Sequence, residues 1–293
     1  MPDPGHKQVD RALLQIPRRA RALIGWLTEE HALQTLAGQR RDVPASEDML
    51  KRARQARDSV ARRKKAGDQG DIIREVPSTL DGYVASLRQS PAAKVYFDEG
   101  WRVALADLSK VCALQPHIFT DHAEDRTANV DSENLESLAG VALPLPTQVE
   151  IPAQFDEHRQ AWIISSPNPN LRVVGNWAGQ VQPGATGFGF IVTVLPSFVQ
   201  VARVDNRYVL RDGYHRAFGF LKRGAHWVPV FVREYARYEE LGLGPGLLPP
   251  SSYLGDRPPL LVDYFDDEVS ADVSLPGFQK MIVIHGLELT PLG

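Results

Sequence analysis

The chain of 293 residues contains one cysteine, Cys112. A single thiol cannot close an intramolecular disulfide or supply a cysteine-rich zinc site, so the composition points to a reducing interior and a cytoplasmic location. Long apolar runs are also missing. No stretch of about 18 apolar residues is present to span a bilayer, and the opening residues, with Pro2, Pro4 and Gly5, lack the apolar core of a signal peptide, so no membrane partner is expected. Charge of one sign does not dominate either. With 33 basic residues against 36 acidic ones the formal net charge is −3, which gives the chain as a whole no attraction to nucleic acid. What is present is a globular composition, 43% hydrophobic and 24% charged, on a chain long enough for one large domain or two of ordinary size.

The first half reads as helical. Apolar residues from Val9 to Leu36 group into helical faces, with Pro17 starting or kinking a helix and Thr28 in position to cap a second. Ser46, followed by Glu47 and Asp48, has the form of another helix start. That helix runs into a basic segment, residues 51–65, in which Lys51, Arg52, Arg54, Arg57, Arg62, Arg63, Lys64 and Lys65 face one acid, Asp58. Such a segment can lie along the phosphates of a nucleic acid, or it can be a solvated helix whose long stems cover its neighbours. No aromatic residue is interleaved for base stacking, which favours the second. Residues 78–113 are expected as further helices, one opening at Pro91, with Tyr96, Phe97, Trp101, Val103, Leu105, Leu108 and Val111 as core surface. Cys112 has no adjacent base and is expected as a small core residue. His117 and His122, near Asp121, Glu124 and Asp125, are not spaced to share one helical face, so residues 115–125 are read as a solvated loop and no metal ligand is assigned.

Residues 141–146 look like a linker into a β-rich half. Strands are expected over residues 161–165, 171–177 and 190–195. The glycine-rich stretch 182–189 lacks the Lys and Ser/Thr of a P-loop and reads as a connector or as a flexible cover over a ligand. The pattern sharpens at Val199, Val201 and Val204, the turn pair Asp205-Asn206 and the returning strand 208–210, which together make a β-hairpin. Asp212 and Gly213 close it. Ala217, Phe218 and Leu221 then share a helical face, Gly224 stops the helix, and residues 227–232 form a strand. A glycine before a helix start lets a ligand approach unpaired N–H groups, and His215 and Arg216 in the first turn can add charge-assisted hydrogen bonds to a phosphate. Asp212 is a metal ligand, a base or the helix cap, while Arg203 and Arg211 widen the positive patch if strand alternation allows. Beyond residue 234 the chain is rich in Pro and Gly and then acidic. Asp263, Asp266, Asp267, Glu268 and Asp272 make either a divalent-cation site or a solvated loop. Residues 281–284 read as a strand that joins a sheet.

The run Gly213-Tyr214-His215-Arg216, preceded by Asp212 and a hairpin and followed by a helix, Gly224 and a Val-Pro-Val strand, resembles the nucleotide-binding motif of the ParB/sulfiredoxin superfamily. The resemblance implies an α+β protein. Residues 1–139 would be a helical region, 140–236 the mixed-sheet domain, and 237–293 a Pro/Gly-rich extension with a final strand. It further implies ATP or CTP with Mg2+, held by Gly213, Tyr214, His215 and Arg216. Phosphoryl transfer to a small-molecule substrate, or hydrolysis, would follow, with His215, Asp212 and Glu150 as catalytic residues. Glu150 and Glu157 stand for the glutamate that the free-serine kinases of this superfamily use as base. Sulfiredoxins have their reactive cysteine where this chain has Tyr214, so sulfinic acid reduction is not expected. Partitioning ParB proteins have Arg at the position of His215 and a helix-turn-helix domain afterwards, which the Gly/Pro-rich continuation excludes. The alternative is a non-catalytic module that binds DNA or a protein through the same fold and the basic segment.

Overall fold

The computed structural model describes residues 15–40, 43–67, 70–146, 151, 153–158, 160–166, 170–278 and 280–285. The first half of the chain supplies β1 (Gln15–Ala22), α1 (Glu29–Leu36), α2 (Glu47–Arg62), β2 (Ile73–Arg74), α3 (Asp81–Gln89), α4 (Pro91–Asp98), β3 (Arg102–Asp107), β4 (His117–Phe119), α5 (Thr120–Arg126) and α6 (Leu135–Ala142). The second half supplies β5 (Ala153–Asp156), β6 (Ala161–Ser166), β7 (Leu171–Gln182), β8 (Ala185–Val194), β9 (Gln200–Val204), β10 (Arg207–Asp212), α7 (Tyr214–Lys222), β11 (Trp227–Glu234), α8 (Pro250–Tyr253), β12 (Ala271–Phe278) and β13 (Lys280–His285). The protein is therefore of the α+β class. Local signals start several helices. Thr28 accepts from the His31 N–H ahead of α1, Ser46 accepts from the Met49 N–H ahead of α2, and Pro91 opens α4, where its missing N–H costs nothing. Among the described residues no helix is long and apolar enough to cross a membrane.

The chain divides into two compact units. The larger joins Pro17–Leu145 to Ser197–Pro276, and the smaller holds Pro146–Pro196 with the two chain ends. In the larger unit a five-stranded sheet has the order β10-β9-β11-β3-β2. β9 and β10 form an antiparallel hairpin, β11 lies parallel to β9, and β3 lies antiparallel to β11, with Phe231 opposite Val103. The parallel pair needs a crossover, which α7 provides. The core packs around rings: Phe231 stacks on Tyr96 at 5.2 Å between centroids and meets Phe198 edge-on at 5.2 Å. A second sheet has the order β12-β1-β4. In the smaller unit β6 lies between β13 and β5, and β7 and β8 form a long hairpin on which Trp177 covers Gly179 and Gly187.

Three segments of the first half depart from the sequence expectation, two read as helix and one as loop. β3 lies inside residues 78–113, β1 inside the segment read as helical from residue 9, and β4 with α5 replaces the loop at 115–125. In β3 the residues Val103, Ala104 and Ala106 are all buried, and so short a run buried on both faces has no periodicity to separate strand from helix. The glycine-rich stretch 182–189 is the turn and first half of β8. Cys112 is fully buried.

The basic segment is answered from within the molecule. Arg63 Nη1 lies 2.8 Å from Asp263 and Nη2 2.5 Å from Asp266, and its guanidinium sits over the Trp26 ring. Arg52 donates to the carbonyls of Asp267 and Ser270, Lys65 pairs with Asp256, and Arg54 with Glu29. Outside the segment, Arg21 pairs with Asp267 and Asp272. The acidic cluster at 263–272 is thus the counterpart of basic side chains, and among the described residues no group of three metal-ligating side chains converges. Lys51, Arg52, Arg57, Arg62 and Lys64 have no ion-pair partner among the described residues; Arg52 is held by main-chain carbonyls and Arg62 by the Ser59 hydroxyl.

Replacing Arg63 leaves Asp263, whose side chain is 8% exposed, without its cation. Arg63→Ala is expected to cost about 3 kcal/mol in denaturant unfolding, against less than about 0.5 kcal/mol for Lys51→Ala on the helix that precedes it.

Candidate functional site

The hairpin turn is built as its residues require. Asp205 (φ 46°) and Asn206 (φ 60°) both adopt left-handed backbone, the geometry that matches a two-residue turn to strand twist. On the return strand the register slips: Leu210 faces Val201, but Asp212 faces Gln200. Arg211 is the extra residue of a β-bulge. In a regular strand Arg211 and Asp212 would point to opposite faces; the bulge brings both onto one cavity of about 320 Å³, shared with Tyr96, Gln200 and the glycine-rich strap at 242–247.

Gly213 follows with φ 94° and caps α7. A Cβ there would stand 2.9 Å from the Val199 Cα, so glycine is required for the approach of β9 rather than for that of a ligand. Its N–H donates to Asp212 Oδ1 at 2.6 Å. Asp212 therefore precedes the cap and makes no bond to the first turn, which corrects the cap reading; its carboxylate is exposed and has no ion pair among the described residues.

Two residues of the motif have structural work instead of the expected contact with phosphate. The buried Tyr214 hydroxyl accepts from the Leu114 N–H at 2.8 Å and donates to the Leu210 carbonyl, and burial holds its pKa well above the ordinary tyrosine value. Arg216 is 4% exposed. Its Nη1 donates to the carbonyls of Val141, Ala142 and Ser197, and Nη2 to Ser197 Oγ. The last carbonyls of α6 have no intrahelical donor and carry the negative end of its dipole, so a guanidinium is well matched to them. Burial lowers the Arg216 pKa to about 10, which still leaves it charged at neutral pH.

His215 sits between rings. It stacks on His122 at 4.7 Å and on Phe119 at 6.0 Å, and its Nε2 accepts the Phe119 N–H at 3.3 Å. That bond assigns the proton to Nδ1. Burial first, and then the nearby His122, Arg126, His117 and Arg18, push its pKa down to about 3. His122, whose Nε2 accepts from Arg126 Nε at 2.8 Å, is lowered to about 4 by burial first and then by Arg126 and Arg18. Both imidazoles are neutral at physiological pH, so the cation at this mouth is Arg126. It is half-buried, has no carboxylate within ion-pair distance among the described residues, and feels Asp212 electrostatically.

Of the remaining expectations, Glu150 lies outside the described residues, and Glu157 is an exposed turn residue of the smaller unit. Arg203 pairs with Glu234 and adds nothing to the mouth. The sequence reading missed Arg126, because its segment was read as loop, and Gln200, although an amide inside the apolar run of β9 is a legible signal. Gln200 is 2% exposed and bonds Arg211 Nη1 at 2.6 Å through Oε1 and the Tyr96 hydroxyl at 3.3 Å through Nε2. Comparison with known proteins finds no match to this chain among family models, curated proteins or solved structures.

Since the folded pKa values of His215 and His122 lie below the ordinary 6.5, the unfolded chain takes up protons first. Their contribution to stability is complete above pH 6.5 and is lost as pH falls toward 4 and then 3. Thermal melts from pH 7.5 to 4.5 are expected to show a falling Tm, with a shallower fall in His215→Gln and His122→Phe. Gly213→Ala is expected to cost roughly 2 kcal/mol or more, because it combines a left-handed φ with the clash against Val199.

Proposed function

We propose that this chain is a nucleotide-binding protein of the ParB/sulfiredoxin type, in which a polyphosphate is received by the first-turn amides of α7 together with Arg126 and His215. The observation that carries this reading is Arg126 itself. A half-buried guanidinium without a carboxylate partner among the described residues stands beside a helix start whose amides have no intrahelical acceptor. Neutral His215 donates to a phosphate oxygen rather than attracting it by charge, and Arg216 holds the helix in place from behind. The nucleotide is ATP or CTP with Mg2+. Phosphoryl transfer to a small molecule, or hydrolysis, is the reaction class, with Asp212 as the base on the side of the 320 Å³ cavity.

A second reading, a non-catalytic module on the same fold, is favoured by one observation: Arg216, the motif's own guanidinium, is consumed by main-chain carbonyls. Thermal shift with ATP, CTP and ADP plus magnesium separates the outcomes. The first reading expects a stabilising shift that is reduced at least tenfold in apparent affinity by Arg126→Gln, with phosphate release or transfer lost in Asp212→Asn. A shift without turnover leaves the module, and the absence of any nucleotide shift removes the nucleotide from both.

A further inference from the structure

We propose that the β7–β8 hairpin is a self-association surface, which pairs with the same hairpin of a second copy of this chain about a twofold axis running along the strands. From Val173 to Val194 the hairpin has no ionisable residue. Among the described residues neither strand pairs with a third, so both outer edges keep unmatched N–H and C=O groups, and the charges that commonly guard such edges are missing. A two-stranded sheet of this kind is marginal in water without a partner. Its two faces differ. Residues directly opposite share a face, so Trp177 with Gly189 and Gly179 with Gly187 lie on one, where the indole and Val181 close over Gly187. The pairs between them, Ala178 with Phe188 and Asn176 with Phe190, lie on the other, and there Phe188 is 77% exposed and Phe190 48%.

That second face is its own complement. Its rings stand on β8, and the residues level with them on β7 are smaller. Half a turn about an axis along the strands lays β8 of one copy over β7 of the other at the same level, so Phe188 of each meets Ala178 of its partner and Phe190 meets Asn176. The contact is isologous, and it brings no like charges together. Ten residue pairs at about 3.3 Å per residue, on strands about 4.8 Å apart with side chains overhanging both edges, offer roughly 500 Å². Two such faces bury about 1,000 Å², the lower bound for a specific interface, so the dimer is one that dissociates on dilution. A lipid surface fits less well, because no lysine or arginine lies between Val173 and Val194 to hold headgroups. The inference concerns the smaller unit and does not depend on the nucleotide reading.

The test is sedimentation velocity of the full chain over a range of concentrations, with flotation on phosphatidylcholine and phosphatidylglycerol vesicles run beside it. The parent is expected to pass from one chain to two as concentration rises. Trp162→Ser, which removes an exposed ring from β6 outside the hairpin, is expected to pair like the parent. Phe188→Ser is expected to weaken pairing at least about tenfold, as for a ring at the centre of an interface. Ala178→Trp adds apolar surface but fills the place of the partner's ring, so it too is expected to weaken pairing, whereas general stickiness would strengthen it. Both positions are exposed, and circular dichroism checks the fold of each variant, so either one keeps the test sound if the other does not fold. The inference is overturned if the parent stays at one chain, with or without vesicle binding, or grows past two. It is also overturned if Phe188→Ser or Ala178→Trp pairs as tightly as the parent, or if Trp162→Ser weakens pairing as much as they do.

Discussion

The approach of the Gly213 backbone to Val199 is the contact on which the candidate site depends. It fixes where α7 begins relative to β9, and β9 in turn sets the place of β11 through their parallel pairing. With the helix start pinned at that distance, Tyr214 and Arg216 point inward as anchors while His215 and Asp212 remain near the surface of the larger unit. Any side chain at position 213 would push β9 and α7 apart and disturb all four at once. The glycine that a sequence motif suggests is there for a ligand is present first for the packing of the chain on itself.

The electrostatics of the site follow from which groups have been used elsewhere. Arg216 is matched to the end of α6, Arg18 to Asp121, and Lys222 to Glu124. The imidazoles of His122 and His215 are stacked and desolvated, so they carry no charge at neutral pH. What is left near the helix start is Arg126 on one side and, across Asp212, Arg211 on the other. Few charges in a partly buried setting act more strongly than many in water, because the surroundings screen them less.

Much of this was legible in the sequence wherever one local rule was sufficient. The Asp205-Asn206 turn, the caps at Thr28 and Ser46, Pro91 at a helix start, the 227–232 strand and the late strand that pairs with β6 are each written in a few adjacent residues. The failures have a common cause in tertiary context. β3 reads as part of a helix because Val103, Ala104 and Ala106 are buried on both faces, and only the neighbours β11 and β2 decide the matter. The fate of Arg216 depends on where α6 ends, about 75 residues earlier in the chain. The bulge at Arg211 breaks the alternation from which a sequence reading assigns faces, so two residues that should diverge share a cavity. The basic segment and the acidic cluster each look like a binding surface alone, and only the fold shows that Arg52 and Arg63 of the one are held by the other.

The pairing of these two charged regions has a consequence for synthesis. Arg21 on β1 meets Asp267 across 246 residues of sequence, and Arg52 and Arg63 meet their partners across more than 200. Emerging from the ribosome, β1 and α2 wait for nearly the whole polypeptide before these partners are made. The contacts that seat Arg21, Arg52 and Arg63 therefore close only once residues 263–272 have been made.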